Sequence, residues 1–120
     1  MAVQLRKINE QVMVITGATS GIGLTTARMA AEQCAKLVLA ARSGEALDQL
    51  ASELRRTGTQ VATVVADVGN PADVERIGQA AMERFGRVDT WVNNAGISIF
   101  GRNEDVSLDD MQRLFDTNYW

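Results

Sequence analysis

The sequence predicts an α/β protein, in which a parallel sheet is covered by helices on both faces. Short apolar runs alternate along the 120 residues with longer amphipathic stretches. The short runs are apolar throughout rather than at every second residue, which is typical of strands that are buried on both faces. Because a strand that returns to its sheet through a helix runs parallel to the one before it, we expect a doubly wound sheet of about four strands.

The strands and helices can be assigned in chain order from these patterns. The apolar runs predict strands over residues 11–16, 36–41, 60–66 and 88–93, and helical spacing predicts helices over residues 21–34, 43–57, 71–85 and from 108 onward. Ser43, Asn70 and Ser107 are expected to cap the last three helices, because their side-chain oxygens can accept hydrogen bonds from first-turn amides. The first helix is expected to place its apolar residues on one face; they are Ile22, Ala27, Ala30, Ala31 and Cys34.

Composition excludes several classes of function. With 12 basic and 15 acidic residues the net charge is −3, which argues against a nucleic-acid partner because phosphate binding needs a concentrated basic face. Since histidine is absent, we expect no Ser-His-Asp or Cys-His catalysis and no metal site built on histidine. No apolar run approaches the roughly 18 to 20 residues of a membrane span, and residues 1–11 lack the apolar core of a signal peptide. The single cysteine allows no internal disulfide and fits a cytoplasmic location.

Three glycines directly after the first predicted strand carry the strongest functional signal. Gly17 is expected to turn the chain off the strand, Gly21 to let backbone amides approach a pyrophosphate, and Gly23 to let the helix pack close to the sheet. The unpaired amides and the positive dipole end of that helix would then face the anion. A P-loop is excluded because Leu24, not lysine, follows Gly23. Thr19, Ser20 and Ile22, which lie between the glycines, are further candidate contacts.

The spacing Gly-x-x-x-Gly-x-Gly resembles the short-chain dehydrogenase/reductase (SDR) family, and differs from the Gly-x-Gly-x-x-Gly of most other nicotinamide enzymes. Three further motifs match that family in order: Asp67-Val68 after the third strand, Asn93-Asn94-Ala95-Gly96 after the fourth, and Asn118 in the last helix. The resemblance covers essentially the whole chain. It implies an incomplete Rossmann-type sheet in the strand order 3-2-1-4, with residues 1–120 as the N-terminal, NAD(P)-binding part of a longer domain.

The end of the second strand indicates which coenzyme is preferred. Dinucleotide folds that use NAD place an acid there to bind the ribose 2′-hydroxyl, whereas this chain has Ala41 followed by Arg42. An arginine can form a charge-assisted fork with a 2′-phosphate. We therefore predict NADP, with NAD less favoured. Ser43 either adds a hydrogen bond to that phosphate or only caps its helix.

The resemblance implies roles for the remaining motif residues. Asp67 would accept a hydrogen bond from the adenine amino group, and Val68 would pack on the ring. Asn94, Ala95 and Gly96 would let the coenzyme lie against the fourth strand, and Asn93 would tie neighbouring strands together. Cys34 stands where the family often has glycine, so a left-handed helix end would carry a side chain at a cost of about 1 kcal/mol. We expect this cysteine to be buried and structural.

The family reaction transfers a hydride between nicotinamide and an alcohol or carbonyl substrate, with a Tyr-x-x-x-Lys pair and a serine at the reacting oxygen. Of the family's catalytic residues only Asn118, which would support a water of the proton relay, has a counterpart here. Tyr119 cannot complete the Tyr-x-x-x-Lys motif because a single residue follows it. We predict that these 120 residues alone are inactive and that the full-length protein is a homo-oligomeric enzyme. The alternative is a non-catalytic dinucleotide-binding or sensor module. The chain's other acids are expected to be solvated, namely Asp89, Asp105, Asp109, Asp110 and Asp116.

Overall fold

The computed structural model describes residues 3–119 and confirms the predicted architecture. One parallel sheet has the strand order β3-β2-β1-β4. The elements are β1 (Val12–Thr16), α1 (Gly21–Glu32), β2 (Lys36–Ala41), α2 (Gly44–Arg56), β3 (Val61–Val65), α3 (Pro71–Phe85), β4 (Thr90–Val92) and α4 (Leu108–Asn118), with short 3-10 turns at Ile8–Glu10 and Asn103–Asp105. Among these described helices none has the length and apolar character needed to cross a bilayer.

Two apolar layers bury the two faces of the sheet. Ile15 and Leu39 belong to the layer formed with α1 and α2, whereas Val14 and Val38 belong to the layer formed with α3. All four side chains are fully buried, because successive residues of a strand point to opposite faces and both faces are covered. β4 pairs with β1 over only three residues, from Met13 opposite Thr90 to Ile15 opposite Val92, and is therefore shorter than predicted.

The three predicted N-caps are confirmed. Ser43 Oγ accepts a hydrogen bond from Ala46 N at 3.2 Å, and Ser107 Oγ accepts one from Asp110 N at 3.1 Å. Asn70 Oδ1 accepts one from Ala72 N at 3.0 Å. Each cap satisfies one of the first-turn amides that a helix cannot pair internally.

The predicted apolar face of α1 is wrong at Ile22. The face that packs on the sheet is centred on Gly23, Ala27 and Ala30, which are buried, while the Ile22 side chain is 78% exposed. Successive helical residues are rotated by about 100°. Once Gly23 faces the interior, its neighbour Ile22 is turned towards the surface.

The expected left-handed end of α1 is confirmed, but the expected burial of Cys34 is wrong. Cys34 has φ +64° and its side chain is exposed. Its N–H donates to Ala31 O at 2.9 Å, and the next amide, Ala35 N, donates to Ala30 O at 3.1 Å. These two bonds form a Schellman motif. The reversal of the chain there places Ala35 rather than Cys34 in the core.

Replacing Cys34 by glycine is expected to stabilise the protein. Relief of the strain at the left-handed φ stabilises the folded state by more than the additional backbone entropy of glycine stabilises the unfolded chain. The free energy of unfolding should therefore rise by about 0.5 to 1 kcal/mol. Denaturant unfolding of the variant and the wild type measures this change in the free energy of unfolding. Cys34→Ala removes the thiol but keeps the Cβ, and should stay within about 0.5 kcal/mol of the wild type. An equal gain in both variants would mean that the thiol, not the backbone, is the source of strain.

Asp89 is not the solvated residue expected from the sequence. Its Oδ2 accepts a hydrogen bond from Val12 N at 2.7 Å and pairs with Arg87 Nε at 2.9 Å, and its Oδ1 pairs with Arg6 Nε at 3.2 Å. The Val12 amide, followed by Arg87 and then Arg6, lowers the pKa of Asp89 below its ordinary value of 3.8. Asp89 thus joins the beginnings of β1 and β4.

The stability that Asp89 contributes should depend on pH. Because its pKa is lower in the folded than in the unfolded protein, this contribution is complete above the unfolded value and is lost as the pH falls through the folded value. We expect Asp89→Asn to lower the melting temperature at pH 7, with a difference from the wild type that shrinks as the pH falls below about 4. The matched variant Asp48→Asn, at an exposed position on α2, should leave the melting temperature at pH 7 unchanged. A constant difference for Asp89→Asn would show that its charge is not involved.

Candidate functional site

A crevice of about 250 Å³ lies at the carboxyl ends of β1, β2 and β3. It brings together residues from four separate segments that were singled out in the sequence, although the predicted residue Asn94 does not line it. Those that line it are Gly17, Thr19, Ser20, Arg42, Ser43, Asp67, Val68, Ala95 and Gly96, and the wall also includes Ala40, Ala41, Ala66, Ile97 and Thr117. Ligands of open α/β sheets bind at this edge.

The glycine loop has the close approaches that require glycine. Gly17 has φ +62°, and a Cβ there would lie 2.9 Å from Ala95 Cα. A Cβ on Gly23 would overlap the Gly17 carbonyl oxygen and lie 2.5 Å from Asn94 Nδ2. Gly23 therefore packs against the loop and Asn94, a more specific contact than the predicted approach to the sheet. Gly21 has φ +53° with open space around its Cβ position, so it is needed for backbone conformation and leaves the loop accessible.

The first turn of α1 begins directly after the crevice residue Ser20 and has free amides. Ser20 occupies the N-cap position without making a side-chain hydrogen bond, in contrast to the caps of the other three helices. The N–H groups of Gly21, Ile22 and Gly23 have no acceptor among residues 3–119. Gly21 and Ile22 are exposed and Gly23 is buried, and none of the three lines the crevice itself. An uncapped first turn is a binding site for an anion.

Thr16 and Asn94 hold the glycine loop against the segment after β4. Thr16 Oγ1 accepts hydrogen bonds from Asn94 N and Ala95 N, both at 3.1 Å, and Asn94 Nδ2 donates to Gly17 O at 3.2 Å. The tie between strands that we expected of Asn93 is therefore made by Asn94. Asn93 accepts instead from Trp91 Nε1 of the preceding strand β4, at 2.8 Å. Thr16 was not predicted as a site residue, because its only signal in the sequence is a hydroxyl at the end of an apolar run.

The end of β2 presents a cation that pairs with none of the residues that the structure describes. Arg42 is exposed at the crevice and makes no ion pair or side-chain hydrogen bond with any other part of the chain that the structure describes. Ala41, at the position of the acid in NAD-binding folds, is only 8% exposed. Ser43 caps α2 by accepting a hydrogen bond, which leaves its hydroxyl proton able to serve as a donor. Ser43 is thus able to cap α2 and to donate a hydrogen bond to a phosphate at the same time.

Asp67 and Val68 form the wall of the crevice after β3. Asp67 is exposed, and its Oδ1 accepts a hydrogen bond from Gly69 N at 2.9 Å. This Asx turn holds the carboxylate at the crevice.

Asn118 contacts the wall of the crevice through Ile97. Its Nδ2 donates to Ile97 O at 2.7 Å, and its Oδ1 accepts from Ile97 N at 2.8 Å. A Cβ on Gly96 would lie 3.2 Å from the same Oδ1. Asn118 and Tyr119 lie in an adjoining crevice of about 230 Å³, so Asn118 acts on the main crevice by holding the Gly96–Ile97 backbone. Thr117 belongs to both crevices and carried no signal in the sequence.

This arrangement defines a Rossmann-type dinucleotide-binding domain: a 3-2-1-4 parallel sheet, a glycine loop and an uncapped helix at the carboxyl edge of the strands. The family model for short chain dehydrogenases matches residues 11–120. The chain belongs to the short-chain dehydrogenase/reductase family.

Relatives and solved structures agree with this membership. The chain is 57% identical over 117 residues to the uncharacterized oxidoreductase YxnA of Bacillus subtilis, covering 98% of this chain and 33% of that protein. An SDR structure from Burkholderia phymatum in complex with NAD superposes with a TM-score of 0.92 at 37% identity, covering 96% of this chain and 41% of that one. An alcohol dehydrogenase from Thermococcus sibiricus complexed with 5-hydroxy-NADP gives 0.85 at 38% identity, covering 89% and 46%. The chain thus spans a third to a half of the length of these proteins.

Proposed function

We propose that residues 1–120 are the coenzyme-binding, N-terminal part of a longer NADP-dependent short-chain dehydrogenase/reductase, which transfers a hydride between nicotinamide and an alcohol or carbonyl substrate. The observation that carries this proposal is the uncapped first turn of α1 beside the crevice. The other three α-helices use a side chain of their own to satisfy a first-turn amide, whereas α1 leaves its amides for an anion.

Different residues around the crevice would contact different parts of the coenzyme. The bound coenzyme would supply or accept the hydride. The first-turn amides of α1 would hold the pyrophosphate, Asp67 and Val68 would bind the adenine, and Ala95 and Gly96 would give the coenzyme room along the wall. Asn118 would keep that wall in place through Ile97.

The preference for NADP rests on local chemistry. The related structures hold both kinds of coenzyme, NAD in one and a modified NADP in the other, so membership of the family does not select between them. Arg42 supports NADP because its guanidinium lies at the crevice and forms no ion pair with residues 3–119. Ala41 supports it because no carboxylate is present there to repel a 2′-phosphate.

Coenzyme titration and turnover test the proposal. We expect NADPH to bind the full-length protein more tightly than NADH, measured by quenching of tryptophan fluorescence, and carbonyl compounds to be reduced at the expense of NADPH. NADPH binding without turnover across a broad carbonyl panel would favour the non-catalytic sensor module. A protein that binds neither coenzyme would refute both functions.

The isolated 120 residues are proposed to be inactive, because they contain no Tyr-x-x-x-Lys pair to exchange a proton with the substrate. Sustained carbonyl-dependent oxidation of NADPH by this piece would contradict the assignment.

For the full-length protein we propose a cytoplasmic homo-oligomer. The exposed thiol of Cys34 supports the reducing compartment, and the exposed Leu108 and Phe115 side chains of α4 support a subunit contact.

A further inference from the structure

We propose that Asp73 is a positioning residue for the adenosine half of the coenzyme, acting together with Arg76 on the backbone that carries Asp67 and Val68. This inference rests on the proposed function. Neither Asp73 nor Arg76 belongs to a motif considered in the sequence, and neither lines the crevice.

The two side chains hold the chain on both sides of Ala66, where it leaves the sheet. Asp73 Oδ2 accepts a hydrogen bond from Asp67 N at 2.8 Å. Arg76 Nη2 lies 2.8 Å from Asp73 Oδ1 and donates to Val65 O, also at 2.8 Å. The first turns of α3 thereby fix the last carbonyl of β3 and the amide of the residue that would meet the adenine.

The rest of this loop is held by its own bonds. Ala66 N donates to Ala41 O at 2.9 Å, and Asn70 N donates to Asp67 O at 3.0 Å. Together with the Asx turn from Asp67 to Gly69, these contacts leave the loop with little freedom. When a binding surface is already ordered in the free protein, less of the binding free energy is lost in ordering it. The Asp73 bond reaches the Asp67 backbone from outside the loop.

The capping of α3 does not account for this arrangement. Asn70 already caps α3, so the helix does not need Asp73 for that purpose. The Asp73 and Arg76 side chains are 22% and 52% exposed, and ion pairs with such exposure contribute little to the stability of a fold. The Asp67 amide, followed by Arg76, lowers the pKa of Asp73, so the carboxylate is charged at neutral pH. The bonds of the pair to Asp67 N and Val65 O act directly on the loop that carries Asp67.

Binding of coenzyme halves to the full-length protein tests this role. For Asp73→Ala we expect the Kd of NADPH and of adenosine 2′,5′-bisphosphate to rise about tenfold, equivalent to about 1.4 kcal/mol, while the Kd of reduced nicotinamide mononucleotide is unchanged. Asp73→Asn keeps an acceptor for the Asp67 amide but loses the charge that attracts Arg76, and should give a smaller rise. Glu75→Gln is the matched control, since Glu75 is exposed on the same helix turn and should change none of the three constants.

The outcomes separate this inference from the proposed function. Unchanged affinity for the adenosine bisphosphate in a folded Asp73→Ala variant would overturn the positioning role, and so would an equal loss for both halves of the coenzyme. If Asp73→Ala does not fold, as judged by circular dichroism, the same criteria apply to Asp73→Asn. A wild-type protein that binds neither NADPH nor the bisphosphate would overturn the proposed function, and the positioning role with it.

Discussion

Gly23→Ala is expected to weaken coenzyme binding by about 100-fold, since misplacing a binding or reacting group by about 1 Å can cost this much. The new Cβ would overlap the Gly17 carbonyl oxygen and lie 2.5 Å from Asn94 Nδ2 and 2.9 Å from Gly17 C. Two of these contacts are with backbone atoms, which cannot rotate away as a side chain can. The start of α1 would be displaced from the glycine loop, and its amides would no longer meet the pyrophosphate. Overpacking of this kind should also lower the free energy of unfolding by about 3 kcal/mol.

Gly78→Ala is the control for this substitution. Gly78 lies inside α3, and a Cβ there meets no atom within 4 Å. Alanine should therefore stabilise the protein by about 1 kcal/mol through its higher helix propensity, with the Kd of NADPH unchanged. Calorimetric titration and thermal melting of both variants give the two quantities. Wild-type affinity in a folded Gly23→Ala protein would disprove the role assigned to the α1 amides.

Arg42→Ala is expected to remove most of the preference for NADP. Hydrogen bonds to charged groups contribute about 1.5 to 3 kcal/mol, so the Kd of NADPH should rise about 10- to 150-fold while that of NADH stays the same. The ratio of the two dissociation constants isolates the contribution of the 2′-phosphate to binding, because the coenzymes are otherwise identical.

Arg28→Ala controls for the general loss of a positive charge. Arg28 is paired with Glu53 on the surface and does not line the crevice, so its replacement should leave the ratio of the constants unchanged. If Arg42→Ala raises the two constants equally, Arg42 does not recognise the 2′-phosphate. Ala41→Asp should complete the change, because a carboxylate at that position can bind a ribose diol and repels a phosphate.

Parts of the candidate site could be predicted from the sequence because they depend on residues that are close together in the chain. Gly17 was assigned correctly to the turn off β1, because such a turn needs positive φ, which glycine adopts freely. The positive φ of Gly21 was not predicted. The caps at Ser43 and Asn70 were predicted because the donor and the acceptor lie within three residues of each other. Ile22 was misplaced because several faces of a short, alanine-rich helix have similar apolar content, and only packing selects one of them.

The sequence by itself determined the class of fold, the order of its elements and the glycine loop, since periodicity, capping and turn formation are properties of neighbouring residues. Only the tertiary structure decided that Asn94 rather than Asn93 joins the strands, that Asp89 is held by Val12, and that Asp73 supports Asp67. Asn94 lies 77 residues from Gly17, and Asp89 lies 77 residues from Val12. Partners this far apart are chosen by the packing of the sheet. The Asp73 contact is shorter in sequence, yet it forms only because α3 folds back against the end of β3 and brings its first turn to the loop.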